Sequence, residues 1–253
     1  MRFLTNQDWE ALLNKLCMNK SKLNSGNQNK ETSMTEKIEK IFFEVSQIIG
    51  DICFSKKLSH ATYGISMTFF HYYICFNDFR RLDKVELAFA CFYMSSKVQF
   101  FNLPLKDLIS DYREYIKNKP NYEKKSEPDF IKYEIQLYSL LGYDLDIETP
   151  YQMYYNGIQN FFEKFPGLKN IEKIEKIKAF CFNLINDTYT RPLSIYFHPK
   201  IIYLSCLIFT VKFLDINECS VEKIVEGENL DLISECMENI YDIYSKYVFL
   251  LKY

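Results

Sequence analysis

Three carboxylates alternate along one short segment, in the order that a calcium-binding loop would use. Asp144, Asp146 and Glu148 stand at the first, third and fifth positions of such a loop, and carboxylate oxygens are preferred ligands of Ca²⁺. Thr149 occupies the sixth position, which requires Gly, and Tyr155 occupies the twelfth, which requires a bidentate Glu. We therefore interpret the segment as a connector between two helical regions and expect no metal site.

Basic and aromatic residues are interleaved between positions 112 and 125, a pattern that can bind phosphate groups or single-stranded nucleic acid. The basic residues are Arg113, Lys117, Lys119, Lys124 and Lys125, and the aromatic residues are Tyr112, Tyr115 and Tyr122. The same pattern is also typical of a solvated loop between two helices, which is the interpretation we favour.

Residues that could catalyse a reaction are dispersed rather than grouped. His60 and His198 lie near predicted helix starts and His71 lies in an aromatic-rich helix, so structural roles are favoured over metal binding or catalysis. The sequence has no nucleophile motif, glycine-rich phosphate loop, zinc-ligand spacing or paired-carboxylate constellation. We therefore predict no catalytic residue, no metal, no cofactor and no catalysis by this chain.

Two lysines, Lys97 and Lys212, end two similar apolar segments. The segments read A-C-F-Y-M-S-S-K and S-C-L-I-F-T-V-K, so Cys91 aligns with Cys206 just as the two lysines align. A repeat that is detectable as matching apolar positions implies a repeated supersecondary core. The sequence therefore predicts two copies of one helical unit.

The composition favours an all-α protein. The chain has 253 residues, 48% of them hydrophobic, with 20 Tyr and 22 Phe but only seven Gly and seven Pro. That apolar content is ample for two cores, whereas so few turn-forming residues argue against an all-β fold. The length fits two domains of roughly 100 to 130 residues each.

Charge and cysteine content indicate a compartment and a class of partner. The net charge is −2, so the basic character of a nucleic-acid binder is missing, and direct nucleic-acid binding is not expected. The eight cysteines include no C-x-x-C pair, which favours buried free thiols in a reducing compartment. The N-terminus lacks the apolar run of a signal peptide and no stretch approaches 18 apolar residues. From these features we expect an intracellular protein, either nuclear or cytosolic, without a membrane partner.

The apolar periodicity divides the chain into three parts. Residues 1–35 combine a short amphipathic helix, about Asn6 to Met18, with a flexible polar linker, Asn19 to Ser33. Such a short helix is marginal alone, so it should dock on the first repeat or on a partner. Residues 36–147 and 148–253 each contain five predicted helices, of which the third is apolar on nearly all sides and therefore central.

Local signals set the expected helix ends in the first repeat. The first helix should stop near Gly50, and Ser59 should cap the second. Asp83 and Glu86 should form a capping box at the third helix. Ser126 to Asp129 should open the fifth, with Pro128 in its first turn.

Three passages are informative together: L-D-K-V-E-L-A-F-A-C-F-Y-M-S-S-K at 82–97, E-I-Q-L-Y-S-L-L-G-Y-D-L at 134–145, and I-N-D-T-Y at 185–189. They resemble the third helix of the cyclin family with its lysine, the family's fifth helix, and the N-D-[ST] passage of the second box in C-, K- and L-type cyclins. In their order and separation they make residues from about 36 onward resemble the transcription-associated cyclins of the C, H, K, L and T types. The resemblance implies two tandem five-helix cyclin-box folds, the first of which binds a kinase.

By this resemblance, Lys97 and Glu134 match the lysine and glutamate that face the partner kinase in cyclins. The residues themselves also indicate a specific role, because each is a charge at the boundary of an apolar helical face, where an unpaired charge would be costly. The alternative is that Lys97 extends its charge to solvent from the end of a core helix and that Glu134 is an ordinary solvated residue. Gln99 and Phe100 follow Lys97 where the family usually has acidic residues.

The resemblance implies a non-catalytic regulatory subunit that binds and activates a cyclin-dependent protein kinase as a heterodimer, in transcription or in cell-cycle control. The chief alternative is a cyclin-fold general factor that resembles transcription factor IIB and binds promoter DNA. That class favours a basic surface and an N-terminal zinc ribbon, whereas this chain has a pI near 6.0 and no C-x-x-C. A third possibility is a scaffold that has kept the fold and lost kinase activation.

Overall fold

The computed structural model describes residues 29–77, 82–117, 119 and 129–250, and these ranges contain helices and no strand. The predicted N-terminal helix, about Asn6 to Met18, lies outside the described residues. The chain divides into two compact units between Ile147 and Glu148. In the ranges described, no helix is both long and apolar enough to cross a bilayer.

The first unit contains five helices within the described ranges. They are α1 (Asn29–Ser55), α2 (His60–Phe76), α3 (Lys84–Val98), α4 (Leu105–Ile116) and α5 (Phe130–Leu140). Helix α3 packs against all four others, and its apolar residues from Val85 to Met94 are almost completely removed from solvent. A helix with apolar residues on every side is stable only in such a central position.

The first helix is longer than the sequence predicted at both ends. It begins at Asn29, inside the predicted linker, and continues past Gly50 to Ser55. Burial of Ile52 and Cys53 beyond the glycine offsets its cost of about 1 kcal/mol relative to Ala. Once the buried middle of the helix has formed, extending it at the N-terminus requires no new nucleation.

Two other predicted helix starts differ in detail. Asp83 caps α3 by accepting from the backbone N–H of Val85 and Glu86, but no reciprocal capping box forms. Instead, the Glu86 carboxylate accepts from the backbone N–H of Asp129 at 2.5 Å. Asp129 is itself the N-cap of α5, which therefore begins at Phe130 rather than around the preceding proline. Glu86 thus ties the start of α3 to the start of α5, a long-range contact that local sequence cannot specify.

The second unit contains six helices in the part of the chain that is described. They are α6 (Pro150–Lys164), α7 (Ile171–Thr188), α8 (Leu193–Tyr196), α9 (Pro199–Phe213), α10 (Val221–Ile224) and α11 (Leu230–Leu250). Five of them correspond to the five helices predicted within residues 148–253. The additional one, α8, is a single turn that buries Leu193 and Ile195, and one turn is too short to show a periodic pattern.

The central helices of the two units repeat each other to the residue. Both α3 and α9 have 15 residues, and Cys91 and Cys206 are buried at the eighth position of each. Both end in a Schellman motif, in which the first residue beyond the C-cap is left-handed: Phe100 has φ 55° and Asp215 has φ 52°. The duplication read from the sequence is therefore also present in the backbone of the helix ends.

The I-N-D-T-Y passage has a structural role in the second unit. Asn186 accepts a hydrogen bond from the Tyr151 hydroxyl at 2.6 Å, which ties α7 to α6. Asp187 accepts from the Tyr244 hydroxyl, which ties α7 to α11. Burial raises the pKa of the Asp187 carboxyl above its ordinary value, although the hydrogen bond from Tyr244 acts in the opposite direction.

Candidate functional site

The structure joins the two charged residues that the sequence singled out. The Nζ of Lys97 donates a hydrogen bond to Oε1 of Glu134 at 2.6 Å. The Lys97 side chain is 41% exposed, whereas that of Glu134 is 11% exposed. Lys97 therefore does more than extend into solvent, and Glu134 is not an ordinary solvated residue. The pair lies at the border between core and surface.

The local sequence explains why the two charges meet. Lys97 stands in the last turn of α3, where a cation interacts favourably with the helix dipole. Glu134 stands on α5 between the buried residues Phe130 and Leu137, so the packing of α5 on α3 turns its carboxylate inward. The ion pair is therefore positioned by two core helices rather than by a loop.

Two tyrosines complete the electrostatic surroundings. The Lys97 ammonium lies 4.1 Å from the ring centroid of Tyr93, a cation–π contact. Tyr138 lies one turn beyond Glu134 on α5, and its pKa is raised by burial and by the charge of that carboxylate, while the charge of Lys97 acts in the opposite direction. Burial lowers the pKa of Lys97, but the hydrogen bond and charge of Glu134, together with Tyr93 and Tyr138, raise it above its ordinary value. Lys97 is therefore charged at neutral pH.

Exposed apolar side chains surround the ion pair, and sequence analysis did not identify them. Ile131 and Ile135 flank Glu134 on α5, and each is more than half exposed. Tyr143 is exposed and stacks on Tyr138 with ring centroids 6.2 Å apart. Beyond Lys97, Phe100 is 96% exposed. The only sequence signal for these residues was the four-residue spacing of Ile131 and Ile135 beside a glutamate. The same spacing is equally typical of a helix face that packs in the core.

We name these residues the α3–α5 surface: Lys97, Phe100, Ile131, Glu134, Ile135, Tyr138 and Tyr143. A half-buried charge pair within an exposed apolar border has the composition of a protein–protein interface, whose centre is apolar and aromatic with few charges. Singly exposed apolar residues are common on any protein. Their grouping around a positioned ion pair is what distinguishes this surface.

The counterpart of Lys97 in the second unit has different surroundings. Lys212 occupies the equivalent position of α9 and is exposed. Unlike Lys97, it makes no ion pair with any residue that the structure describes. Equivalent positions in two similar segments thus hold a positioned charge in one unit and a solvated charge in the other.

The calcium-like segment serves as a connector. The Asp144 carboxylate accepts a hydrogen bond from the backbone N–H of Asp146 at 3.2 Å and so caps a local turn. Thr149 is the N-cap of α6 and forms a capping box with Gln152. No group of His, Cys, Asp and Glu residues suited to a metal ion occurs among the described residues.

Two tyrosines of the basic and aromatic pattern between 112 and 125 already have partners inside the described part of the chain. Tyr112 is buried and packs edge-on against Phe89, with ring centroids 5.4 Å apart, so it cannot stack on a base. Lys119 donates a hydrogen bond to the Tyr115 hydroxyl at 2.6 Å. The remaining members Tyr122, Lys124 and Lys125 lie outside the described residues.

One histidine is buried and the other two lie at helix starts. His71 is buried, with its ring 5.1 Å from that of Phe42 in an edge-on contact. His198 is the N-cap of α9, and its Nδ1 accepts from the backbone N–H of Lys200 at 3.2 Å. His60 begins α2, and burial lowers its pKa.

The seven cysteines within the described ranges are buried free thiols. Desolvation raises the pKa of the Cys91 and Cys206 thiols well above the ordinary value. Such thiols behave as small core side chains, because the reactive thiolate is suppressed.

The sequence is similar to Cyclin-K of Danio rerio and to Cyclin-K of Homo sapiens. Each is 22% identical to this chain over 215 residues, which is 80% of the chain. The matched region covers 49% of the first relative and 36% of the second, so the chain spans about half or less of the length of these curated relatives. No family model matches the chain.

Solved structures share the fold at low sequence identity. A chain of the CAK complex from Chaetomium thermophilum bound to ATP-gamma-S matches with a TM-score of 0.65 and 13% identity, covering 97% of this chain and 76% of that one. A chain of the yeast TFIIK complex matches at 0.62 and 15%, covering 87% and 97%. A chain of the yeast RNA Pol II CTD kinase CTDK-1 complex matches at 0.68 and 14%, covering 96% and 73%.

The fold class predicted from the sequence, all-α with the cyclin fold, is confirmed by these likenesses and by the helices themselves. The chain resembles the transcription-associated cyclins, as the three sequence passages predicted.

Proposed function

We propose that this chain is a cyclin: a non-catalytic regulatory subunit that binds and activates a cyclin-dependent protein kinase. The observation that carries the proposal is the Lys97–Glu134 ion pair on α3 and α5, bordered by exposed apolar side chains. These are the two residues that the family resemblance assigns to the kinase contact. The first unit, within residues 36–147, would be the kinase-binding box, and residues 148–253 would form the second box.

The likenesses support this assignment. The relatives are cyclins, and the three solved assemblies include two named as CAK and CTD kinase complexes. The names TFIIK and RNA Pol II CTD kinase belong to transcription, which supports a transcriptional role and a nuclear location for this chain as well.

The mechanism follows from the requirements of a kinase active site. A protein kinase is active when the lysine of its third strand pairs with the glutamate of its C-helix and its activation segment is ordered. A cyclin favours that state by binding the inward position of the C-helix better than the outward one. Inverting a 1:99 equilibrium needs a difference in binding free energy of about 5.5 kcal/mol.

The ion pair alone is too weak to supply that difference. Each isoleucine of the α3–α5 surface is already partly buried, so covering the rest would contribute roughly 1 to 2 kcal/mol. Phe100 and the Tyr138–Tyr143 stack add further exposed area. The apolar border would therefore provide most of the energy, and the ion pair would fix the register of the helix that docks on it.

The test is to purify a tagged version of the chain from its native cell, identify the bound protein kinase, and reconstitute the pair from separately purified proteins. Phosphorylation of a peptide with RNA polymerase II C-terminal-domain repeats, and of a general substrate such as histone, would be measured with and without the chain. We expect activation of about 100-fold, since the active fraction would rise from about 1% to nearly all.

Each other outcome has a distinct meaning. A kinase that binds without gaining activity on either substrate would show a scaffold rather than an activator. If the chain instead binds promoter DNA in a mobility-shift assay and recovers no kinase, the proposal is wrong and the role resembling transcription factor IIB is supported.

A further inference from the structure

We propose that Phe100 is an apolar anchor that inserts into a hydrophobic pocket on the partner kinase, next to the surface that receives the Lys97–Glu134 pair. This inference rests on the proposed function and identifies a partner contact that the charge pair does not include. It is drawn from the backbone conformation and exposure of Phe100 and from a comparison with its counterpart in the second unit.

The position of Phe100 is unfavourable for phenylalanine in the isolated chain. It is the first residue beyond the C-cap of α3, with φ 55°. Glycine is the usual residue at this position of a Schellman motif, because a side chain is strained in the left-handed conformation. The Phe100 side chain is also 96% exposed, so it gains no burial within this unit that could offset the strain.

The second unit has a different residue at the equivalent position of the same backbone motif. Asp215 occupies the equivalent position beyond α9, with φ 52° and the same hydrogen bond to the preceding lysine carbonyl. Aspartate is among the residues that tolerate this conformation well and is suited to solvent. The fold therefore does not require an aromatic residue at this place. An unfavourable residue held in a sparsely populated conformation points to a function outside the unit.

The backbone fixes where Phe100 lies. Its N–H donates to the carbonyl oxygen of Lys97 at 3.1 Å, and the next residue, Phe101, closes the motif on Ser96 at 2.8 Å. Phe100 is thus fixed by two backbone hydrogen bonds to the last turn of α3, which carries Lys97. An aromatic residue presented on a fixed backbone loses little conformational entropy on binding and is typical of interface hot spots. The pocket that receives Phe100 therefore belongs to the same protein that contacts Lys97 and Glu134.

The experiment compares Phe100→Asp, Phe100→Gly and Phe100→Leu with the unsubstituted chain, using the kinase recovered in the purification described above. The dissociation constant is measured by calorimetry or surface plasmon resonance, and the melting temperature of the free chain is measured in parallel. We expect Phe100→Asp and Phe100→Gly to weaken binding by about 10- to 100-fold, as expected for loss of one fully buried phenylalanine. Phe100→Leu, which keeps an apolar side chain, should lose much less.

The melting temperature separates an anchor from a structural residue. Phe100→Gly and Phe100→Asp should melt at the same temperature as the unsubstituted chain or higher, because they relieve backbone strain and remove no internal contact. Phe54, which is 88% exposed at the end of α1, provides the matched control. Phe54→Asp should leave kinase affinity unchanged.

Three results would overturn the anchor: unchanged affinity in Phe100→Asp and Phe100→Gly, a lowered melting temperature that accounts for the loss of binding, or an equal loss in Phe54→Asp. If substitution of Lys97 weakens binding while the Phe100 variants do not, only the anchor is wrong. If no kinase binds the chain, or if Lys97 and Glu134 substitutions have no effect, the proposed function itself fails and the anchor with it.

Discussion

Replacing Lys97 with alanine is the most informative single perturbation, because the structure predicts different effects on folding and on binding. In the free chain, the variant leaves Glu134 without its counter-ion. The Lys97 side chain is 41% exposed, so solvent screens the lost ion pair. We expect a loss of at most about 1 kcal/mol in the free energy of unfolding, a melting shift of roughly 2 to 4 °C.

Binding should be affected much more strongly. In a complex that covers the α3–α5 surface, the Glu134 carboxylate would lose the solvent access that its surroundings still allow. Truncating one partner of a buried, hydrogen-bonded charge pair typically costs about 2 to 5 kcal/mol of binding free energy. That corresponds to a dissociation constant about 30- to 4,000-fold higher.

A double-mutant cycle identifies the source of the loss. Glu134→Ala should weaken binding in the same range, because it leaves the lysine unpaired. The double variant should lose less than the sum of the two single losses, since it removes both charges together and leaves neither unpaired.

The assay is calorimetric or surface-plasmon titration of the recovered kinase, with kinase activity measured on the same samples. Lys212→Ala is the matched control, because Lys212 holds the equivalent helix position and has no ion pair with a described residue. Unchanged affinity and activity in both Lys97→Ala and Glu134→Ala would refute the assignment of the kinase contact. Equal damage from Lys212→Ala would refute the argument that the ion pair is what matters.

Further predictions concern the units themselves. Cys91 and Cys206 should resist a thiol reagent such as 5,5′-dithiobis-(2-nitrobenzoic acid) in the native protein and react on unfolding, because burial removes access and raises the pKa of each thiol. Asp83→Ala should lower the free energy of unfolding by about 1 kcal/mol in denaturant titration, through loss of the N-cap of α3. The raised pKa of the Asp187 carboxyl means that the folded state binds more protons than the unfolded state just above the ordinary carboxyl pKa. Wild-type stability should therefore fall as pH rises through that window, and Asp187→Asn should remove this decline.

Each of these has a clear contrary result. Rapid labelling of either thiol without unfolding would contradict the matching burial of the two central helices. Asp83→Ser preserves an accepting oxygen and should retain most of the stability, so an equal loss in Ser and Ala would show that the cap is not the cause. A stability profile of Asp187→Asn that follows the wild type just above the ordinary carboxyl pKa would assign the pH dependence to another group.

The sequence alone determined the helical class and the repeat. Apolar residues recur at helical spacing, and the matching segments ending in Lys97 and Lys212 reveal the duplication without any structure. Side-chain caps were also predictable where the signal is local, as at Ser59, which accepts from the backbone N–H of Thr62. These features depend on residues a few positions apart, and such spacing is preserved in the linear chain.

Only the tertiary structure decided which charges meet and what surrounds them. Lys97 and Lys212 hold equivalent positions at the ends of similar apolar segments, yet one is paired with a buried acid from another helix and the other is solvated. Likewise, Glu86 was predicted to cap its own helix but accepts a hydrogen bond from Asp129 instead. Ile131 and Ile135 have the four-residue spacing that a core face would also show, yet both are exposed. The physical reason is common to all of these: the burial and partners of a side chain depend on the helix packed against it, and the packing of α5 on α3 is not encoded in any single local segment.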